Sequence, residues 1–170
     1  MLYNVAQLLK EPAGATREYS LDESVTLGEE EDWGEIAVKG RMNVLRTPTG
    51  LLVTGEVQTA INEECARCLE SYDQALTLEI EDEFIPQVDP TTGMTVGVPE
   101  GQFGIDGHHL LDLSEALRQA ILLNRPIQPL CRPDCRGLCP DCGGNRNLRQ
   151  CECAGAPVDP RWAKLKTMLS

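Results

Sequence analysis

Eight cysteines are the residues of this 170-residue chain best suited to chemistry. They run Cys65-x2-Cys68, a gap of 62 residues, then Cys131-x3-Cys135-x3-Cys139-x2-Cys142-x8-Cys151-x-Cys153. Gaps of two or three residues let a tight turn aim two sulfurs at one ion, as four-coordinate zinc requires. Cys139-Pro140-Asp141-Cys142-Gly143-Gly144 is the most specific piece, because glycine after the second cysteine permits the positive φ of such a turn. Eight thiols divide into two sites of four, and the expected cofactor is two zinc ions. One partition places Cys65, Cys68, Cys131 and Cys135 on one ion and Cys139, Cys142, Cys151 and Cys153 on the other. A rival partition unites Cys131, Cys135, Cys139 and Cys142, and spacing alone permits both.

Other thiol chemistries fit less well. Cys135-x3-Cys139-x2-Cys142 matches the cluster spacing of radical enzymes using S-adenosylmethionine, but those need a large barrel and few residues follow here. An iron–sulfur or redox site stays open, since thiolates suit both metals. A thioredoxin-like role for Cys65 and Cys68 lacks the βαβ surroundings it needs. His108 and His109 are the only histidines and read as an exposed loop pair. No serine, histidine and carboxylate set is placed for nucleophilic catalysis, so the expectation is a protein that is not an enzyme.

The elements that must position these thiols are legible in part. Residues 4–10 suit a short helical turn ended by Pro12 and Gly14. Residues 22–35 are acidic, with carboxylates from Glu29 to Asp32, and read as a solvated loop. From Glu35 the period is two: Ile36, Val38, Met42 and Val44, then Leu51, Val53, Val57, Thr59 and Ile61 beyond a hairpin signal at Thr47–Gly50. A third run, Leu76, Leu78 and Ile80, continues to Phe84 and stops at Pro86. Residues 86–107, rich in Gly, Pro and Thr, read as loop. Leu113, Ala116, Leu117, Ala120 and Ile121 have helical spacing, with Asp112 and Glu115 resembling a capping box. Pro126 stops that helix. Asp159-Pro160 starts a short final helix through Trp162, whose ring is expected to anchor a core.

The reading is an α+β fold: an antiparallel β-meander with a packed helix and a C-terminal cysteine-rich zinc module. Its segments are an N-terminal stretch at 1–33, acidic at its end, the meander plus helix at 34–128, the zinc module at 129–158 and a short helix at 159–170.

Charge qualifies the function. The chain is at −12 overall, which argues against a general affinity for nucleic acid. Residues 1–124 are at net −16, whereas residues 125–170 are at net +4. A four-thiolate zinc site carries about two negative charges of its own, so the tail is an arginine-decorated surface and not a strong positive field. Arg132, Arg136, Arg146 and Arg149 sit within the metal module and are the candidate RNA-binding residues, since guanidinium forks suit phosphates and stacked bases. No stretch approaches the ~18 apolar residues that span a bilayer. Met1–Lys10 lacks the pattern of a secretory signal. A reducing, cytoplasmic setting follows as the expectation, in which dense cysteines bind metal before they form disulfides.

These features resemble a known family. Cys65-x-Arg67-Cys68-Leu69-Glu70, the strand end at Phe84, and Asp112-Leu113 with Ile121-Leu122-Leu123 before a proline carry the first half of the likeness. Leu130-Cys131, Asp134-Cys135-Arg136-Gly137-Leu138-Cys139-Pro140-x-Cys142-Gly143 and Asp159-Pro160-Arg161-Trp162 carry the second. Together they resemble the YceD family, the large ribosomal RNA subunit accumulation proteins, over about Gly34 to Leu165. The resemblance implies a bacterial cytosolic protein with plastid relatives that supports accumulation or processing of large-subunit ribosomal RNA. The implied partner is that RNA or a pre-ribosomal particle. Some members lack the last four cysteines, which favours the first partition. The family supplies no catalytic residues to carry over. Two further expectations come from other classes: an adaptor whose acidic face binds a basic ribosomal protein, and a redox or iron–sulfur protein.

Overall fold

In the computed structural model, residues 1–27, 33–90 and 92–153 are described. The elements run β1 (Leu2–Asn4), α1 (Ala6–Lys10), β2 (Thr16–Thr26), β3 (Glu35–Arg46), β4 (Leu51–Glu64), β5 (Ser71–Pro86), β6 (Phe103–Ile105), β7 (Leu110–Asp112) and α2 (Ser114–Asn124). Among the described residues the strands form one seven-stranded sheet in the order β1-β7-β6-β5-β4-β3-β2. β1 with β7, β2 with β3, β3 with β4 and β6 with β7 pair antiparallel, whereas β5 pairs with β6 in parallel.

The apolar alternation sets which face of each long strand is inside. Ile36, Val38, Met42 and Val44 of β3 are buried, as are Leu51, Val53, Val57 and Ile61 of β4 and Leu78, Ile80 and Phe84 of β5. Leu8 and Leu9 of α1 and Ala116, Leu117 and Ile121 of α2 join the same core. Gly40 of β3 faces Val57, and a Cβ there would stand 2.2 Å from the Glu56 carbonyl oxygen. Only glycine lets the two backbones approach so closely.

Several expectations change. The meander has four long strands, because Asp22–Thr26, read as acidic loop, belongs to β2 and pairs with β3 from Asp22↔Lys39 to Thr26↔Glu35. β2 is a sheet edge and buries only Leu21 fully, so it lacks the apolar period of a half-buried strand. The stretch 86–107 contains β6, whose Phe103 stacks on Phe84 with centroids 5.1 Å apart. The capping box does not form: Asp112 Oδ1 accepts from the Ser114 N–H at 2.9 Å, but Glu115 turns to Arg118 and Gln119. Arg125 closes α2 in extended geometry at φ −61° and ψ 128°, as a residue before proline should.

The chain forms two units. One comprises Met1–Asn62 and Asp73–Ile127. The other comprises Glu63–Tyr72 and the described residues from Gln128 onward. The turn bearing Cys65 and Cys68 thus groups with the C-terminal cysteines and not with the meander that precedes it in sequence. The expected final helix, with Trp162, lies outside the described residues, as does the whole Glu29–Asp32 run. Among the described residues no helix is long and apolar enough to cross a membrane.

Candidate metal centres

The β4–β5 connection supplies the first pair of thiols. Cys65 accepts the Leu69 N–H on its carbonyl at 2.9 Å and donates its own N–H to the Glu70 carbonyl at 3.0 Å, which closes a tight turn. Leu69 takes φ 60° within it. The segment after α2 returns to this turn, where the Ala66 N–H donates to the Pro129 carbonyl at 2.8 Å and the Leu138 N–H to the Arg67 carbonyl at 3.0 Å. These bonds bring Cys131 and Cys135 to the first pair across a long sequence gap.

The eight thiols gather as two tetrads. Sγ atoms of Cys65, Cys68, Cys131 and Cys135 lie within 4.8 Å of one another, and so do those of Cys139, Cys142, Cys151 and Cys153. This is the first of the two partitions read from the spacing. Within the first tetrad, Cys65 and Cys135 sulfurs are 3.8 Å apart and Cys68 and Cys131 sulfurs 3.7 Å. Those separations are far beyond a disulfide bond of about 2.05 Å. They equal the edge, about 3.8 Å, of a tetrahedron built from zinc–sulfur bonds of about 2.3 Å. All eight cysteines are free thiols, and the two tetrads can hold metal ions.

The second tetrad is built locally. The Cys139 N–H donates to the Gly144 carbonyl and the Gly143 N–H to the Cys139 carbonyl, at 2.8 and 2.9 Å. Gly143 has φ +67°, the left-handed conformation that the turn demands. The tetrads differ in exposure: Cys65, Cys68 and Cys135 are buried, whereas Cys142 and Cys153 are exposed.

Backbone amides tune the sulfurs. The Cys131 N–H chiefly, with those of Arg67 and Cys68, holds the Cys65 thiol down to about 6 against the effect of burial. Amides of Cys142 and Asp141 hold Cys139 down to about 6. Burial, with help from neighbouring sulfurs, pushes Cys131 up to about 12, and sharing with Cys142 pushes Cys153 up to about 12. Each tetrad therefore contains a sulfur biased towards the thiolate, the form that binds metal.

Asn147 was not singled out by sequence reading, yet it braces the first tetrad. Its Nδ2 donates to Cys135 Sγ at 3.3 Å and to Asn145 Oδ1 at 2.9 Å. Its Oδ1 accepts the Arg136 N–H at 2.8 Å and the Arg132 guanidinium at 2.7 Å. An asparagine five residues beyond a cysteine pair carries no recognisable signal in one sequence.

The four arginines part company. Arg132 is engaged by Asn147 and lies 3.5 Å from Asp134. Arg136, Arg146 and Arg149 line one cavity of about 350 Å³ together with Cys139, Cys151 and Cys153 of the second tetrad. His108 is exposed, and His109 holds φ 61° with its Nδ1 buried. Neither histidine belongs to the tetrads.

A family model described as Large ribosomal RNA subunit accumulation protein YceD matches residues 53–169. An uncharacterized protein of Mycobacterium tuberculosis is 36% identical over 127 residues, covering 71% of this chain and 56% of that protein. Another, of Mycobacterium leprae, is 30% identical over 144 residues, covering 82% and 62%. The chloroplastic large ribosomal RNA subunit accumulation protein YCED homolog 1 of Arabidopsis thaliana is 27% identical over 151 residues, covering 75% and 47%. The match to this chain thus spans about half to three-fifths of these relatives' lengths. No solved structure matches the chain.

Proposed function

Because the chain belongs to the YceD family of large ribosomal RNA subunit accumulation proteins, we propose that it is a non-enzymatic, zinc-binding factor supporting accumulation or processing of large-subunit ribosomal RNA. The observation that carries this reading is the family match over residues 53–169, which takes in both tetrads. Zinc is the proposed metal because four thiolates and a tetrahedral sulfur spacing suit a closed structural site. Each ion would contribute on the order of 10–16 kcal/mol of apparent binding energy that is also folding energy. With all four positions of each ion taken by sulfur, neither metal has a place for substrate. The role of the metal is then to hold the arginines of its module, which contact ribosomal RNA or an assembly intermediate.

Depleting the protein in its host and measuring large- against small-subunit ribosomal RNA tests the role. A fall in the large-subunit species, restored by the wild-type gene and not by Cys68→Ser, is the expected result. An unchanged ratio under complete depletion would remove the proposal. Elemental mass spectrometry of protein purified without added metal separates zinc from the iron–sulfur alternative.

One observation favours a second reading, an adaptor for a basic ribosomal protein. Glu79, Glu81 and Asp82 line a cavity of about 340 Å³ together with Leu123, which is 85% exposed. That reading predicts a co-purifying basic protein and no RNA affinity in the isolated chain.

A further inference from the structure

Carboxylates outnumber cations in this chain, 27 to 15, and four of the described arginines are paired with one. Arg17 pairs with Glu11, Arg41 with Glu18, Arg118 with Glu115 and Arg132 with Asp134. Arg136, Arg146 and Arg149 make no ion pair among the described residues, and these three line the same cleft. Their backbones are fixed to the metal module. The Arg136 N–H donates to Asn147 Oδ1 at 2.8 Å, that of Arg146 to the Gly137 carbonyl at 3.0 Å and that of Arg149 to the Asn145 carbonyl at 3.2 Å. The Arg149 guanidinium lies over Gly144, where a Cβ would come within 2.9 Å of its Nη2.

Resting on the RNA-contacting reading above, we propose that this cleft is a phosphodiester-binding site for single-stranded RNA. Planar guanidinium forks bind phosphate oxygens in pairs, and forks on a fixed backbone lose less freedom on binding. No aromatic ring lines the cleft among the described residues, so there is no platform for base stacking. Recognition therefore falls on the sugar-phosphate backbone and tolerates sequence. A single strand can bend into a concavity of about 350 Å³, whereas a duplex presents its phosphates on a broad convex surface. Charge sets the mode of association. Asp141 lines the cleft too, as do Cys139, Cys151 and Cys153 of the second tetrad, and a four-thiolate zinc site adds about two negative charges. The three cations are therefore nearly balanced, and the strand is held by contact and not drawn in from a distance.

The test is fluorescence anisotropy of a labelled, mixed-sequence single-stranded RNA with the full metal-loaded chain across a range of salt. The triple variant R136Q/R146Q/R149Q should bind at least about tenfold more weakly, with a log–log salt slope shallower by about 2, at ~0.7 per phosphate contact. R41Q, in β3 and outside the metal module, should bind as the wild type does. If the triple variant loses metal, the single variants are read instead, each expected to lower the slope by about 0.7. Unchanged affinity and slope in the arginine variants, with wild-type binding intact, would overturn the cleft and leave the RNA-contacting reading standing on another surface. No binding by the wild type would overturn both. Displacement of the RNA by equimolar inorganic phosphate at constant ionic strength would reassign the cleft to a free anion.

Discussion

The side-chain amide of Asn147 donates to Sγ of Cys135 at 3.3 Å, so a residue outside the tetrad touches one of its sulfurs. Burial pushes the Cys135 thiol up, but the Gly137 N–H, the Asn147 amide and hydrogen bonds with Cys68 and Cys131 together hold the thiol below its ordinary value. Replacing Asn147 with leucine removes that donor and both bonds to its oxygen. Partners of this kind are typically worth ten- to a hundredfold in metal affinity. Competition with a chromophoric chelator should show the loss in N147L, confined to one of two ions. Equal affinities in N147L and wild type would show that the contact is incidental.

The tetrads should release metal in order. A chelator reaches Cys142 and Cys153 directly, whereas Cys65, Cys68 and Cys135 are buried. Two zinc ions per chain are expected, with the second tetrad emptied first. Cys142→Ser should abolish the fast phase of release and Cys68→Ser the slow one, each variant retaining about one ion. A single phase, or both ions lost in either variant, would refute independent sites.

Gly40 should not tolerate a side chain. The Cβ of G40A would sit 2.2 Å from the Glu56 carbonyl oxygen, a backbone atom that moves only with its strand. Strain of this kind costs about 1–3 kcal/mol or more. Thermal denaturation should show G40A well below the wild type, while G97A, in open space, serves as the control. Matching midpoints for the two variants would contradict the register of β3 and β4.

Glu115 provides a pH-dependent term. Hydrogen bonds from Arg118 and from Gln119 hold its carboxyl down to about 2, below an ordinary value of 4.5. A depressed carboxyl contributes stability that is complete above the unfolded value and is lost as pH falls through the folded one. The difference in melting temperature between wild type and E115Q should therefore be constant at neutral pH and shrink from about pH 4.5 downward to about 2. Half of Glu115's side chain is exposed, so solvent screening keeps the whole effect small. A difference that grows on acidification would have the wrong sign.

How much of this was legible varied with burial. β3, β4 and β5 as far as Phe84 each bury one face in alternation, and their apolar residues announce it. β2 has eleven residues and hides only Leu21 fully, so its strand character comes from hydrogen bonds to β3 that composition does not reveal. β1, β6 and β7 have three residues each, too few for any period to show. The capping box at Asp112 and Glu115 had the right letters, but Arg118 and Gln119 compete for Glu115 from the next turn.

The sequence by itself determined that this chain gathers thiols: paired cysteines a few residues apart can aim at one ion whatever the rest of the fold does. It could not say which pairs share an ion, because spacing permits two partitions. Tertiary structure gathers the thiols as two tetrads by returning the chain after α2 to the Cys65–Cys68 turn, where Ala66 meets Pro129. The arginines follow the same division. Their presence in the module was plain from composition. That Arg132 is a brace, and that Arg136, Arg146 and Arg149 share a cleft, depends on where the backbone points each side chain, and the hydrogen bonds that set those directions join residues distant in sequence.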